Sequence, residues 1–317
     1  MRRVTQRWML RRGAARLAPA ALAAGLIEAG ASGALGQSIE PRAYAPAPTG
    51  VNFLLAAYTW AEGGPSLDTS IPVRNAKLDV NGPILGYVRS LDLAGKSAKV
   101  DVIAPYGRLS GSAIYQDRPV QREVEGFGDP LMRLSVILHG ASAMTPAQFQ
   151  SYRQDVIVGA SLQISVPLGQ YDPSKLLNLG ANRWSFKPEL GISKAIGPWT
   201  LEGQGAATVF TDNGDFYGGQ KRSVSPLYSG QMHAIYSFRS GVWGSFDATY
   251  FTGGRTTVNG TLNRDLQQNW RLGLTVAVPV TRRNSIKLNA SAGVMARTGN
   301  NYDLFGIAWQ YRWGDGL

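Results

Sequence analysis

The sequence predicts an all-β fold: a transmembrane, antiparallel, up-and-down β-barrel of about 12 strands. Three observations predict it. From residue 50 onward apolar residues recur with period two in segments of about 10–14 residues. The opposite face of each segment carries Gly, Ser, Thr, Gln and Asn rather than the Lys and Glu of a soluble surface. The segments also exceed the five or six residues typical of a soluble sandwich strand and match the roughly 9–11 that a tilted strand needs to cross hydrocarbon.

Asp155 to Pro167 illustrates the alternation. Val156, Val158, Ala160, Leu162, Ile164 and Val166 share one face, and Ile157, Gly159, Ser161, Gln163 and Ser165 the other. Trp270, Leu272, Leu274, Val276 and Val278 likewise oppose Arg271, Gly273, Thr275 and Ala277. Ile286, Leu288, Ala290, Ala292, Val294 and Ala296 oppose Lys287, Asn289, Ser291, Gly293, Met295 and Arg297. Extended along the chain, the pattern predicts strands near 50–61, 82–94, 97–109, 126–139, 154–167 and 183–195. Six more follow near 198–211, 224–239, 242–252, 267–280, 284–297 and 302–313.

Connections are expected to be short at Ile196-Gly197-Pro198, Ser240-Gly241 and Thr281 to Asn284. They are expected to be long at 110–125, 140–153, 168–182, 212–223 and 253–266. Short turns at one rim and long loops at the other characterise an outer-membrane barrel. Tyr58, Trp60, Trp184, Trp199, Trp243, Tyr250 and Trp270 stand near strand ends, where amphipathic rings favour the headgroup level.

Bulk composition agrees. Apolar residues make up 44% of the 317 residues, enough for a folded chain, and no apolar run is long enough for a membrane-spanning helix. Cysteine is absent, which excludes disulfides and thiolate metal sites. The net charge of +11 invites a nucleic-acid partner, but its distribution argues against one. Arg2, Arg3, Arg7, Arg11, Arg12 and Arg16 against Glu28 give residues 1–36 a charge of +5, which leaves +6 over the other 281 residues, without a basic run.

That basic N-terminus precedes an apolar stretch, Leu17 to Ile27, and the small residues Ala34-Leu35-Gly36. The order is that of a secretory signal. Gly13, Ala14 and Ala15 after Arg11-Arg12 lack the apolar pattern of a twin-arginine signal. The expected organisation is a signal peptide over 1–36, cleaved near Gly36, and a barrel over 37–317 in the outer membrane of a Gram-negative bacterium. At the other end Phe305, Ile307, Trp309, Tyr311 and Trp313 alternate. This resembles the terminal-strand signal read by the barrel assembly machinery, although Gly314 to Leu317 follow it here.

Several stretches are similar to the outer-membrane transporter family named after the meta-pathway of phenol degradation. They are Glu40-Pro-Arg-Ala-Tyr-Ala-Pro-Ala-Pro-Thr-Gly-Val-Asn-Phe53, Gly126-Phe-Gly-Asp-Pro130, Pro167-Leu-Gly-Gln-Tyr-Asp-Pro173 and the run from Asn178 to Gly191. Gly197 to Glu202, Tyr250 to Arg255 and Tyr311-Arg-Trp313 extend the resemblance over most of 40–313. It implies a barrel and uptake of aromatic or apolar compounds, and it carries no pattern of substrate-binding residues.

Catalytic chemistry has few candidates. His139 and His233 are the two histidines, and His139-Gly-Ala-Ser142 is the nearest approach to a hydrolase pair. No catalytic residue, metal site or cofactor is expected. The inferred lumen is the place for function. Arg133, Gln163, Lys187, Glu189, Glu202, Gln204, Asp247, Arg271, Lys287, Asn289 and Arg297 are the pore-lining candidates. Lone charges in a narrow barrel are costly, so mixed signs suggest pairing. Lys187, Glu189, Glu202 and Arg271 are expected to meet at a constriction, or else an infolded loop such as 168–182 narrows the pore. The leading expectation is passive passage of small organic solutes. A non-conducting structural or surface-interaction barrel is the alternative, and an embedded hydrolase a third. The expected partners are outer-membrane lipid, the assembly machinery and the solutes.

Overall fold

The computed structural model describes residues 39–64, 73–115, 118–296 and 301–314; the predicted signal segment 1–36 lies outside them. The wall opens with β1 (Asn52–Gly64), β2 (Val73–Leu93) and β3 (Lys96–Tyr115). Next, β4 (Arg118–Phe127) and β5 (Leu131–His139) lie end to end along β3. Tyr106 faces Phe127 and Ile103 faces Leu131, so the two act as one wall strand broken at Gly128–Pro130. A short helix, α1 (Pro146–Ser151), precedes β6 (Val156–Ser165), β7 (Ser185–Ile196) and β8 (Trp199–Phe210). The loop strands β9 (Asn213–Phe216) and β10 (Gln220–Val224) come before β11 (Leu227–Ser237) and β12 (Trp243–Gly253). Another loop pair, β13 (Thr256–Val258) and β14 (Thr261–Leu262), leads to β15 (Gln267–Pro279), β16 (Asn284–Ala296) and β17 (Asn301–Trp313).

Every wall neighbour is antiparallel, and β1 closes the ring between β17 and β2. With β4 and β5 counted together, the result is a closed barrel of 12 strands, as the alternation predicts. Each predicted segment overlaps one wall strand. Closure leaves no sheet edge to hydrogen-bond with lipid, which is what a membrane span of strands requires.

Faces follow the period. Leu162 (42% exposed), Leu190, Ile192, Met232 and Leu274 (59% exposed) point outward, whereas Gln163, Gly273 and Thr275 point inward. Two levels of rings bound this apolar band. Tyr58, Trp60 and Phe305 cluster near one rim, with Tyr250–Trp270 and Trp184–Phe186 at the same end. Trp309, Tyr311 and Trp313 stack near the other, with Trp199 against Tyr236.

Four expectations change. Trp243 is not in the girdle: it is 3% exposed and faces the lumen. Met295 faces outward at 66% exposure, because a register shift pairs Trp270 with Met295 but Arg271 with Gly293. One residue of slip transfers a side chain to the other face. The predicted loop 110–125 is largely the hairpin of β3 and β4. The long connection at 140–153 lies on the same rim as Asn52, Trp313 and the short turns, so the rim asymmetry has this exception. There α1 is capped by Thr145, and its Phe149 packs with Tyr152 against the apolar cluster that includes Ala43, Tyr44, Ala141 and Met144.

Candidate functional site: the barrel lumen

Inward-facing polar side chains would leave a wetted passage if nothing else entered. The chain's own N-terminal segment, residues 39–49, runs among them instead of joining the wall; Glu40, Tyr44 and Ala47 are 2%, 4% and 1% exposed. A turn at 41–44, closed by the Ala45 amide on the Arg42 carbonyl (3.0 Å), leads into Pro46 and Pro48, which cannot donate to a ladder. The segment is therefore held by side chains of the wall.

The wall holds the segment at successive residues. Glu40 pairs with Arg133, whose Nε is 2.7 Å from Asp101 Oδ2. The Glu40 amide donates to Gln231 Oε1 (3.1 Å), and Gln204 Nε2 donates to the Glu40 carbonyl (3.1 Å). Lower down, the Arg42 amide donates to Glu202 Oε2 (2.6 Å), and the Arg42 guanidinium donates to Ser237 Oγ (2.6 Å) and lies 4.8 Å from the centre of the Trp243 ring. Lys99 Nζ donates to the Ala43 carbonyl (2.7 Å). The Tyr44 hydroxyl donates to Glu189 Oε1 (3.0 Å), and Lys187 stands 3.3 Å from the other oxygen of Glu189. Each buried charge thus has an opposite charge or a hydrogen bond, as burial demands.

Tyr44 also explains two glycines. Gly159 on β6 and Gly191 on β7 are cross-strand partners, and a Cβ on either would overlap the Tyr44 ring. At the lower rim the Thr49 amide donates to the Met144 carbonyl (2.8 Å). Ala43 and Tyr44 pack there on Ile137, Ala141, Met144 and Ile157. Ala47 and Val51 join Phe53, Leu55, Ile84, Val88, Ile103, Leu131 and Ala308 in a second apolar cluster.

Ten of the predicted lumen residues, Arg133, Gln163, Lys187, Glu189, Glu202, Gln204, Asp247, Arg271, Lys287 and Asn289, are buried. Arg297 lies outside the described residues. The expected meeting of Lys187, Glu189, Glu202 and Arg271 does not occur. Glu202 sits opposite Ser193 and Glu189 opposite Ala206, four residues apart along β7. Glu202 accordingly binds Arg42 and Ser193 (3.2 Å) rather than Lys187. Arg271, on the far wall, donates to the Tyr302 carbonyl and to Ser291 Oγ. Sequence reasoning missed Glu40, Arg42, Tyr44, Lys99 and Asp101. Lys99 and Asp101 were legible, since they share the inward parity of β3. The first three precede any alternating segment.

The histidines differ. His139 lies exposed at the lower rim, lining a small depression with Ser142, Lys96 and Tyr152. His233 is buried, its Nδ1 2.8 Å from Asp247 Oδ1, while Ser245 and Thr275 donate to Asp247 Oδ2 (3.0 and 3.1 Å). The serine therefore sits on the aspartate rather than at the free Nε2, which is the wrong order for a Ser-His-Asp relay.

Near the upper rim the stretches beginning at Gly126, Pro167 and Asn178 meet. Asp129, in the break between β4 and β5, accepts from the amides of Gly169 (2.9 Å) and Ala181 (2.8 Å). The Gln170 amide donates to the Phe127 carbonyl (2.8 Å). Leu177 and Leu179 of the same loop pack on Val80, Leu109 and Val124. Ser174 donates twice to Asp172 Oδ1 and so holds that carboxyl below its usual range. Loop 166–184 is latched to the wall, and its motifs serve that latch.

With this geometry in view, the comparisons with known proteins agree. The family described as "Putative MetA-pathway of phenol degradation" matches residues 62–311. The chain belongs to this family. Its structure is similar to that of an outer membrane channel from Pseudomonas putida F1, with a TM-score of 0.74 and 20% identity over 87% of this chain and 100% of that one. The β domain of the Bordetella autotransporter BrkA gives a TM-score of 0.50 at 10% identity, covering 83% of this chain and 100% of that one. The transport unit of Escherichia coli AIDA-I gives 0.51 at 8%, covering 83% and 90%. At these identities the likeness establishes the outer-membrane barrel fold of this family member. No curated protein sequence matches the chain.

Proposed function

We propose that the protein is an outer-membrane channel for passive passage of small organic solutes, aromatic or apolar in keeping with the family's name. The observation that carries this reading is the nature of the lumen filling. It is a single segment outside the wall ladder, and its upper part is held largely by hydrogen bonds and ion pairs that water can replace. The naming of the Pseudomonas putida relative as a channel supports it. On this reading the exposed apolar band contacts outer-membrane lipid of a Gram-negative cell, and the C-terminal strand engages the assembly machinery. Residues 1–36 direct export and are removed near Gly36. The protein acts without enzymatic chemistry.

Single-channel recording of refolded residues 37–317 in planar bilayers tests the proposal. Discrete conductance steps are expected. A folded barrel that gives no steps at any salt concentration or voltage would instead be a structural or surface-interaction barrel.

A further inference from the structure

Some lumen cations stand beside carboxylates, whereas others, such as Arg42 and Lys99, are held by neutral partners. Arg133 stands between Glu40 and Asp101, and Lys187 beside Glu189. Among the described residues, Arg271 on β15 has no carboxylate within 4.0 Å, although it is 1% exposed. Its hydrogen-bond partners are neutral. Nη1 donates to the Tyr302 carbonyl (2.9 Å), Nη2 donates to Ser291 Oγ (2.7 Å), and the guanidinium lies 3.8 Å from the Tyr302 ring centre. Its Nε is buried without a hydrogen-bond partner.

The neighbouring inward positions are also unsatisfied. Thr249 lies directly across from Arg271 on β12, with Oγ1 buried and unpartnered. Asn269, two residues along β15 toward the upper rim, has both amide atoms buried and unpartnered. Phe251, its cross-strand partner, is fully buried. Buried polar groups in native proteins are almost always paired, so four such atoms on adjacent positions mark a place for something that pairs them. The shared donors are a guanidinium N–H, an amide N–H and a hydroxyl. Such a set fits a carboxylate, whose planar oxygens match the guanidinium edge. A guanidinium held only by neutral partners favours an anionic ligand over a neutral one. The rings of Phe251 and Tyr302 offer an apolar flank beside it.

We propose that the upper lumen holds a subsite for a small organic monocarboxylate with an apolar body, formed by Arg271, Asn269 and Thr249 and flanked by Phe251 and Tyr302. The proposal rests on the channel reading and names the solute class it would pass.

Benzoate is the probe, with benzyl alcohol as its uncharged counterpart, titrated calorimetrically into refolded residues 37–317 in detergent. Benzoate should bind at least about tenfold more tightly than benzyl alcohol, the usual weight of a charge-assisted contact. Arg271→Gln and Asn269→Ala should each weaken benzoate by about tenfold or more and leave benzyl alcohol unchanged. Heat-modifiable electrophoretic migration reports the fold of each variant. If Arg271→Gln fails to fold, Asn269→Ala and Thr249→Ala decide. Wild-type protein that does not bind benzoate, or folded variants that bind it as wild type does, would overturn the subsite. Loss of the subsite with conductance intact leaves the channel reading standing. Benzoate binding without any conductance keeps the subsite and removes the channel.

Discussion

Replacing Gly159 by alanine places a methyl group where the Tyr44 ring lies, with Gly191 across the strand pair equally occupied by that ring. The wall strands are fixed on both sides by ladder hydrogen bonds, so the ring must move. Tyr44 is 4% exposed, and removing a buried aromatic side chain from its site costs about 3–5 kcal/mol. Its hydroxyl also leaves Glu189, although water replaces much of that bond once the ring is free. At about 1.4 kcal/mol per factor of ten, the balance between seated and released segment shifts roughly a hundredfold or more. The assay is single-channel recording of Gly159→Ala, Gly191→Ala and Tyr44→Ala beside wild type. All three should show larger or longer openings. Tyr44→Ala tests the segment without altering the wall. If Tyr44→Ala and Gly159→Ala both keep wild-type conductance and open times, the segment does not obstruct the path and the reasoning fails.

Three further outcomes follow from the faces and the latch. Leu162→Arg and Leu274→Arg should reduce folded barrel in the outer membrane, since a charge facing midplane lipid costs about 2–4 kcal/mol. Gln163→Glu, between Arg133 and Lys187 in register, should assemble normally; equal loss in all three would refute the in/out assignment. Because the chain has no cysteine, Met295→Cys can be probed alone with a lipid-soluble thiol reagent, and it should label as readily as Val294→Cys. Protection of Met295→Cys would show that the alternation continues unbroken through β16. Asp129→Ala removes the acceptor of two loop amides, at about 1–3 kcal/mol for each one stranded. Proteolysis within 168–182 should then begin while the barrel stays intact; an uncut loop would mean that Leu177 and Leu179 suffice to hold it.

Legibility was uneven for reasons visible in particular residues. Leu162 and Gln163 could be assigned to opposite faces because their neighbours keep a strict period. Met295 could not, because the slip that turns it outward is a property of its pairing with Trp270 on another strand. Trp243 reads as a girdle ring at a strand end; only the structure shows it turned inward, with the Arg42 guanidinium over its ring. Glu202 and Lys187 have opposite charges on strands joined by one turn, yet strand register sets Glu202 beside Ser193 and leaves Lys187 to Glu189.

What the amino-acid sequence determined by itself is therefore the local part: strand positions, the inward or outward sense of most side chains, and the barrel class. Period two is written by neighbouring residues and needs no distant partner to be read. The tertiary structure alone decided what fills the lumen and which charges pair there. Glu40 meets Gln231 across 191 positions of sequence and Arg42 meets Ser237 across 195. Such contacts exist only once the ring has closed, since closure brings β11 and the chain's first described residues to the same height. Nothing in the local pattern around Glu40-Pro41-Arg42 specifies that meeting.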